Sequence, residues 1–141
     1  MRAHLELCLE FLGQQWVLAV ALLVTVGMLI AHETRKAGPA LTPQQAINLI
    51  NREGGVFVDL REAVDYKLGH IINALNIPTG KIDSRRGELE KYRTAPIVLV
   101  CKMGQQAGGV GKKLKDNGFE KVYKMKGGML EWDNLQLPTA T

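Results

Sequence analysis

Cysteine is scarce in this chain, metal-ligand spacing is missing, and no basic run alternates with aromatics. The two cysteines, Cys8 and Cys101, lie on opposite sides of an apolar segment and are poor partners for a mutual disulfide. Without a disulfide framework or a paired-cysteine metal motif, the chain fits a reducing compartment. Its three histidines, His4, His32 and His70, are scattered, so no metal and no cofactor is expected. Aromatic residues make up 6% of the chain and the net charge is a modest +4, which speaks against nucleic acid as a partner. At 141 residues the chain has room for one ordinary domain and an appendage.

What is present is organised around residues 96–114, PIVLVCKMGQQAGGVGKKL. Ile97, Val98, Leu99 and Val100 form a short, wholly apolar run behind a proline, the pattern of a strand buried on both faces of a parallel sheet. Cys101 ends the run, residues 102–106 make a tight loop, and a helix follows to about Asn117 and Gly118. Strand, loop and helix N-terminus in that order form an anion cradle of backbone N–H groups with the helix dipole behind it. A thiol at the start of such a loop is held towards the nucleophilic thiolate form. The competing reading is a buried structural cysteine at a strand end. Gly108, Gly109 and Gly111 weaken the helix, since each costs about 1 kcal/mol relative to alanine; close approach to the sheet and loop would explain them. They make no dinucleotide fingerprint, because Leu114 stands where G-x-G-x-x-G would close.

Residues 16–31, WVLAVALLVTVGMLIA, carry no charge. A membrane-spanning helix needs roughly 20 apolar residues, and 11–31 meets that by including Gln14 and Gln15 near the headgroup level. A signal peptide fits less well, because Glu6 and Glu10 sit in its n-region and no clean cleavage site follows Ile30. A buried core helix would be apolar all round, which suits a domain of this size poorly. The expectation is a single span at about 11–31 within an N-terminal segment 1–36. Arg35 and Lys36 outweigh Arg2, which places the N-terminus outside and the remainder in the cytoplasm. Cys8 is a small apolar filler or a lipidation site.

Ala37-Gly38-Pro39 reads as a linker, with a domain from about Ala40. Thr42-Pro43-Gln44-Gln45 opens a helix as N-cap, first-turn proline and capping-box glutamine, and Gly54-Gly55 stops it. Val56-Phe57-Val58 forms the next strand, ending at Asp59, a carboxylate on the edge where α/β sheets place their sites. Its structural reading, an acceptor for a neighbouring loop or for Arg61, is preferred. A short helix over 63–68, a strand over 74–77, short surface helices within 80–94, a strand over 122–125 and a terminal helix through Trp132 complete the pattern. Strands alternating with helices, with no room for hairpins, predict an α/β three-layer sandwich around a parallel sheet.

Three stretches together resemble one family. Residues 58–78, VDLREAVDYKLGHIINALNIP, resemble the first signature of rhodanese-like domains; residues 98–119 resemble their active-site strand, loop and helix; residues 122–132, VYKMKGGMLEW, resemble their closing signature. The resemblance implies a parallel five-stranded sheet over a domain of about 40–137 and sulfur transfer through a cysteine persulfide. It assigns Cys101 as the nucleophile and Lys102, Met103, Gly104, Gln105, Gln106 and Ala107 as the substrate-binding loop. Asp59, Arg61 and His70 match positions that support the site. A single-domain rhodanese behind one span, in the bacterial inner membrane, is the arrangement this implies.

One departure bears on activity. Strong thiosulfate sulfurtransferases of the family carry arginine and then serine or threonine where this chain has Gln106 and Ala107. Lys102 is a flexible point charge and a partial substitute for that rigid fork. Ala107 also excludes the related phosphatases, which need Cys-x5-Arg. The expected function is therefore a membrane-tethered sulfurtransferase or persulfide carrier with weak thiosulfate activity. Its donor would be a small anionic sulfur compound or a protein persulfide. The alternative is a non-catalytic binding module that recruits a protein to the lipid bilayer, with a membrane protein as a possible partner. The basic helix bearing Lys112, Lys113 and Lys115 fits an anionic donor, a lipid surface or a solvated face alike.

Overall fold

The structure is a computed structural model that describes residues 1–36 and 38–141. The first residue of the expected linker, Ala37, lies outside the described residues, as do the side chains at 33–36, including Arg35 and Lys36. Contacts divide the chain into a unit of Met1–Thr34 and a unit of Arg35–Thr141.

The first unit holds helix α1 (Arg2–Gln14) and helix α2 (Trp16–Lys36) as far as Thr34. They are bent by 73° at Gln15, so the continuous span expected over 11–31 is broken. No single helix among the described residues is long and apolar enough to cross a membrane; the bent pair passes by length and composition only. The break falls at the polar Gln14-Gln15 pair, where Gln15 leaves helical geometry at φ −118° and ψ 27°.

In the second unit, β1 (Ala40–Leu41) precedes α3 (Pro43–Glu53). The capping box forms as the sequence predicts: Gln45 N–H donates to the Thr42 hydroxyl at 3.3 Å, and Thr42 N–H donates to Gln45 Oε1 at 3.0 Å. Gly54 closes the helix in the left-handed region at φ 72°. There follow β2 (Val56–Asp59), α4 (Ala63–Leu68), β3 (His70–Ile71) and β4 (Leu75–Asn76). Two 3-10 turns, Thr79–Lys81 and Arg86–Tyr92, flank α5 (Ile82–Arg85). The chain continues through β5 (Ile97–Val100), α6 (Ala107–Asp116), β6 (Val122–Met125), α7 (Gly128–Asn134) and β7 (Thr139–Ala140).

Five strands form a parallel sheet in the order β1-β6-β5-β2-β4, so the apolar run of β5 is its central strand. Every residue of β2 and β5 is buried. Val56, Val58, Ile97 and Leu99 face one core with Ala107, Val110 and Leu114 of α6, while Phe57, Val98 and Val100 face another with Ala46, Met129 and Trp132. A strand whose alternate residues both meet apolar layers has no polar side, and this is why these runs read as uninterrupted hydrophobes. The order also contains what the sequence did not announce. β1 is two residues without a readable pattern, and β3 pairs antiparallel with β7 in a small second sheet.

The chain runs from β2 out to β4 and then returns to β5 on the other side of β2. That reversal leaves a crevice beyond the carboxyl ends of β2 and β5, the usual ligand position in an open α/β sheet.

Candidate active site

The crevice is a cavity of about 270 Å³. Leu60, Arg61, Glu62 and Asp65 line it from the β2 side, and Cys101, Lys102, Met103, Gln105 and Gln106 from the β5 side. Cys101 continues the alternation of β5, so its side chain belongs to the α6 core layer and is only 2% exposed. Cys101 nonetheless lines the cavity, and the Gly104 N–H donates to its Sγ at 3.0 Å. Behind the loop, α6 begins at Ala107, itself fully buried, so its N-terminal end is directed at the loop.

Backbone contacts hold the loop in place. Met129 N–H donates to the Cys101 carbonyl at 2.8 Å and Leu130 N–H to the Lys102 carbonyl at 3.0 Å. Such close docking of α7 depends on Gly128. A Cβ on Gly128 would overlap the Cys101 carbonyl oxygen and approach the Gly104 nitrogen to 2.9 Å. Gly104 itself has φ 87°, a conformation that favours glycine and turns its N–H towards the sulfur. Gly109, by contrast, has open space around it. The packing reason expected for the α6 glycines therefore does not hold there, although Gly111 is buried.

Under the cavity, Asp59 is 1% exposed. Its carboxylate accepts from the Arg61 backbone N–H at 3.0 Å, from Arg61 Nε at 3.0 and 3.2 Å and from Nη2 at 2.7 Å. Arg61 Nη2 also donates to the Gly69 carbonyl at 2.8 Å. Burial would lower the Arg61 pKa, but the Asp59 hydrogen bond and charge, with smaller contributions from Asp65 and Asp133, raise it above the ordinary arginine value. Removing one partner of such a buried pair costs about 3–5 kcal/mol, because the other charge is left unmatched. The guanidinium is thus a brace between β2 and the turn before β3.

His70 does not line the cavity. Its ring stacks on Tyr66 with centroids 3.7 Å apart, and its Nδ1 lies 2.8 Å from the Tyr66 carbonyl oxygen. Gln106, in the position of the family's arginine, accepts from the Thr79 hydroxyl at 3.4 Å. The structure thus brings Cys101, Lys102, Met103, Gln105, Gln106 and Arg61 to one cavity and leaves Asp59, His70 and Ala107 behind it. Glu62 and Asp65 enter the wall unannounced. They bracket the start of α4, and nothing in their spacing marks a site.

Comparison with known proteins agrees with this architecture. The family model "Rhodanese-like domain" matches residues 42–135. The uncharacterized protein YibN of Escherichia coli is 32% identical over 134 residues, covering 92% of this chain and 94% of that protein. The thiosulfate sulfurtransferase GlpE of Pseudoalteromonas translucida is 33% identical over 89 residues, 63% of this chain and 83% of that enzyme. Among solved structures, the polysulfide-sulfur transferase homodimer of Wolinella succinogenes superimposes with a TM-score of 0.66 at 24% identity, over 83% of this chain and 88% of that one. With its five-stranded parallel sheet and its cysteine loop at the end of the central strand, the chain belongs to the rhodanese-like domain family.

Proposed function

We propose that this protein is a sulfurtransferase or persulfide carrier whose nucleophile is Cys101. The observation that carries the reading is the Gly104 N–H aimed at Cys101 Sγ at 3.0 Å on the wall of an open cavity. A buried structural cysteine has no use for a glycine turned to φ 87° to donate to its sulfur. In the first half-reaction the Cys101 thiolate attacks the outer sulfur of a donor. A new S–S bond forms, the donor's own bond to that sulfur breaks, and the electron pair leaves with the donor remnant. From thiosulfate the remnant is sulfite; from a persulfide it is a thiolate. In the second half-reaction an acceptor thiolate takes the outer sulfur and Cys101 leaves as the thiolate. The loop N–H groups from Lys102 to Ala107 and the N-terminal end of α6 stabilise the terminal sulfur charge of the persulfide.

Gln106 supplies an amide where a guanidinium would offset the charge of thiosulfate, so thiosulfate turnover is weak. The test is turnover from thiosulfate or a small persulfide to cyanide as thiophilic acceptor. Wild type should form thiocyanate and Cys101→Ser should not. Absence of turnover with every donor would favour the alternative, a binding module that recruits a partner.

The N-terminal unit is read as a membrane-associating segment of a bacterial inner membrane protein, with the N-terminus outside and the catalytic domain in the cytoplasm. Supporting this, the apolar side chains of α1 and α2 are exposed along their length, Leu22 by 64% and Leu23 by 70%. So large an apolar surface calls for a bilayer or a membrane protein to cover it. A reporter enzyme active only outside the cytoplasm, fused after Thr141, should stay silent; activity would reverse the orientation.

A further inference from the structure

The cavity above Cys101 is charged in a way that bears on which donor can enter it. Its four charged wall residues are Arg61, Lys102, Glu62 and Asp65. Arg61 adds little net positive charge, because its guanidinium is paired with the buried Asp59 through Nε and Nη2, and Nη2 also donates to the Gly69 carbonyl. The charge left on the wall is then that of Glu62 and Asp65 against that of Lys102, with Gln105 and Gln106 as neutral members of the same lining. All lie around one cavity of about 270 Å³, across which charges act within the screening length of about 8 Å at physiological ionic strength. An anionic donor entering here meets two carboxylates as well as the thiolate it must approach. A cationic one meets complementary charge. Met103, 52% exposed at the same wall, adds a soft apolar contact suited to a polypeptide surface.

We infer that Glu62 and Asp65 select the sulfur donor by charge, so that Cys101 is loaded from a protein persulfide whose cysteine is flanked by lysine or arginine, in preference to thiosulfate. The inference rests on the persulfide chemistry proposed above and names its donor class. In the loading step the Cys101 thiolate bonds to the outer sulfur of R–S–SH and the donor S–S bond breaks. The donor leaves as R–S⁻ with the electron pair, and the proton stays on the new Cys101 persulfide. One negative charge is present before and after, and no oxidant is consumed.

The test uses the full chain and three donors: a lysine-flanked cysteine-persulfide peptide, its glutamate-flanked counterpart, and thiosulfate. The readout is the single-turnover rate at which one sulfur is added to Cys101. Wild type should load from the lysine peptide about ten-fold faster than from the glutamate peptide at low salt, and the gap should narrow as salt is raised. Glu62→Gln combined with Asp65→Asn should close the gap and raise the thiosulfate rate about ten-fold. Both residues are exposed, so the double variant should melt like wild type; Glu62→Lys should then invert the preference. Equal loading from the two peptides by wild type, or a preference untouched by the double variant, would overturn the inference while leaving the chemistry standing. Failure of all three donors to load Cys101 would overturn the chemistry and the inference with it.

Discussion

The carbonyl oxygen of Cys101 occupies the space that a side chain on Gly128 would need. Gly128 has φ 57° and lies next to Met129, whose N–H holds that same carbonyl at 2.8 Å. The Cys101 loop and the start of α7 are therefore packed backbone to backbone, with Gly128 at the contact.

Gly128→Ala should displace the loop. A methyl group there meets backbone, which cannot swing aside, and the positive φ adds its own strain. A loss of at least about 2 kcal/mol in unfolding free energy is expected, together with loss of most sulfur transfer. Gly109→Ala is the control: its Cβ enters open space on α6, so stability should rise by about 0.5–1 kcal/mol with transfer unchanged. Chemical denaturation and a turnover assay on both variants check the pair.

Tyr66 gives the fold a pH dependence on the alkaline side. Its hydroxyl donates to the Ala74 carbonyl at 2.7 Å, tying α4 to the segment before β4. Burial, and to a lesser degree the charge of Asp59, raise its pKa above the ordinary value of 10.0. A group with a raised folded-state pKa binds its proton more tightly when folded, so its contribution is fully present below pH 10 and is lost as pH rises through the folded-state value. Stability should fall above pH 10 more steeply in wild type than in Tyr66→Phe, which should itself lose about 1 kcal/mol at neutral pH. Urea midpoints measured from pH 7 to pH 11 check both.

Much of this was legible in the sequence because burial on two faces leaves a plain mark. Val56 to Val58 and Ile97 to Val100 could be read as strands since no polar residue interrupts them, and Thr42 to Gln45 as a helix start because its capping chemistry is local. The edge strand at Ala40 was not legible, nor was the pairing of His70 with Ala140: two-residue strands are set by their neighbours, not by a period. The break at Gln15 was hidden for a different reason. Glutamines near the end of an apolar run suit a headgroup region as well as a helix break, and composition does not separate the two. Within the site, Cys101 and its loop stood out because strand, cysteine and glycine are contiguous. Glu62 and Asp65 did not, since the cavity joins them to Cys101 across the sheet edge and not along the chain.

Gln106→Arg should raise thiosulfate turnover by roughly ten-fold or more, chiefly in kcat/KM. A guanidinium offers the dianion two parallel charge-assisted hydrogen bonds, which an amide cannot match. Such bonds contribute about 1.5–3 kcal/mol, and about 1.4 kcal/mol is a factor of ten. The Thr79 hydroxyl loses only a long contact of 3.4 Å, so folding should be unaffected. A neutral persulfide donor should gain little. If turnover with thiosulfate stays unchanged in a folded variant, the loop does not receive the donor as described. If wild type already matches efficient thiosulfate sulfurtransferases, Lys102 supplies the missing charge.

The most direct measurement is the intact mass of the purified chain before and after incubation with a sulfane-sulfur donor, followed by mapping of the modified residue. A gain of one sulfur atom is expected, located on Cys101, removed by an added thiol acceptor and absent in a folded Cys101→Ser variant. An unchanged mass with every donor, or equal sulfur uptake by Cys101→Ser, would contradict it.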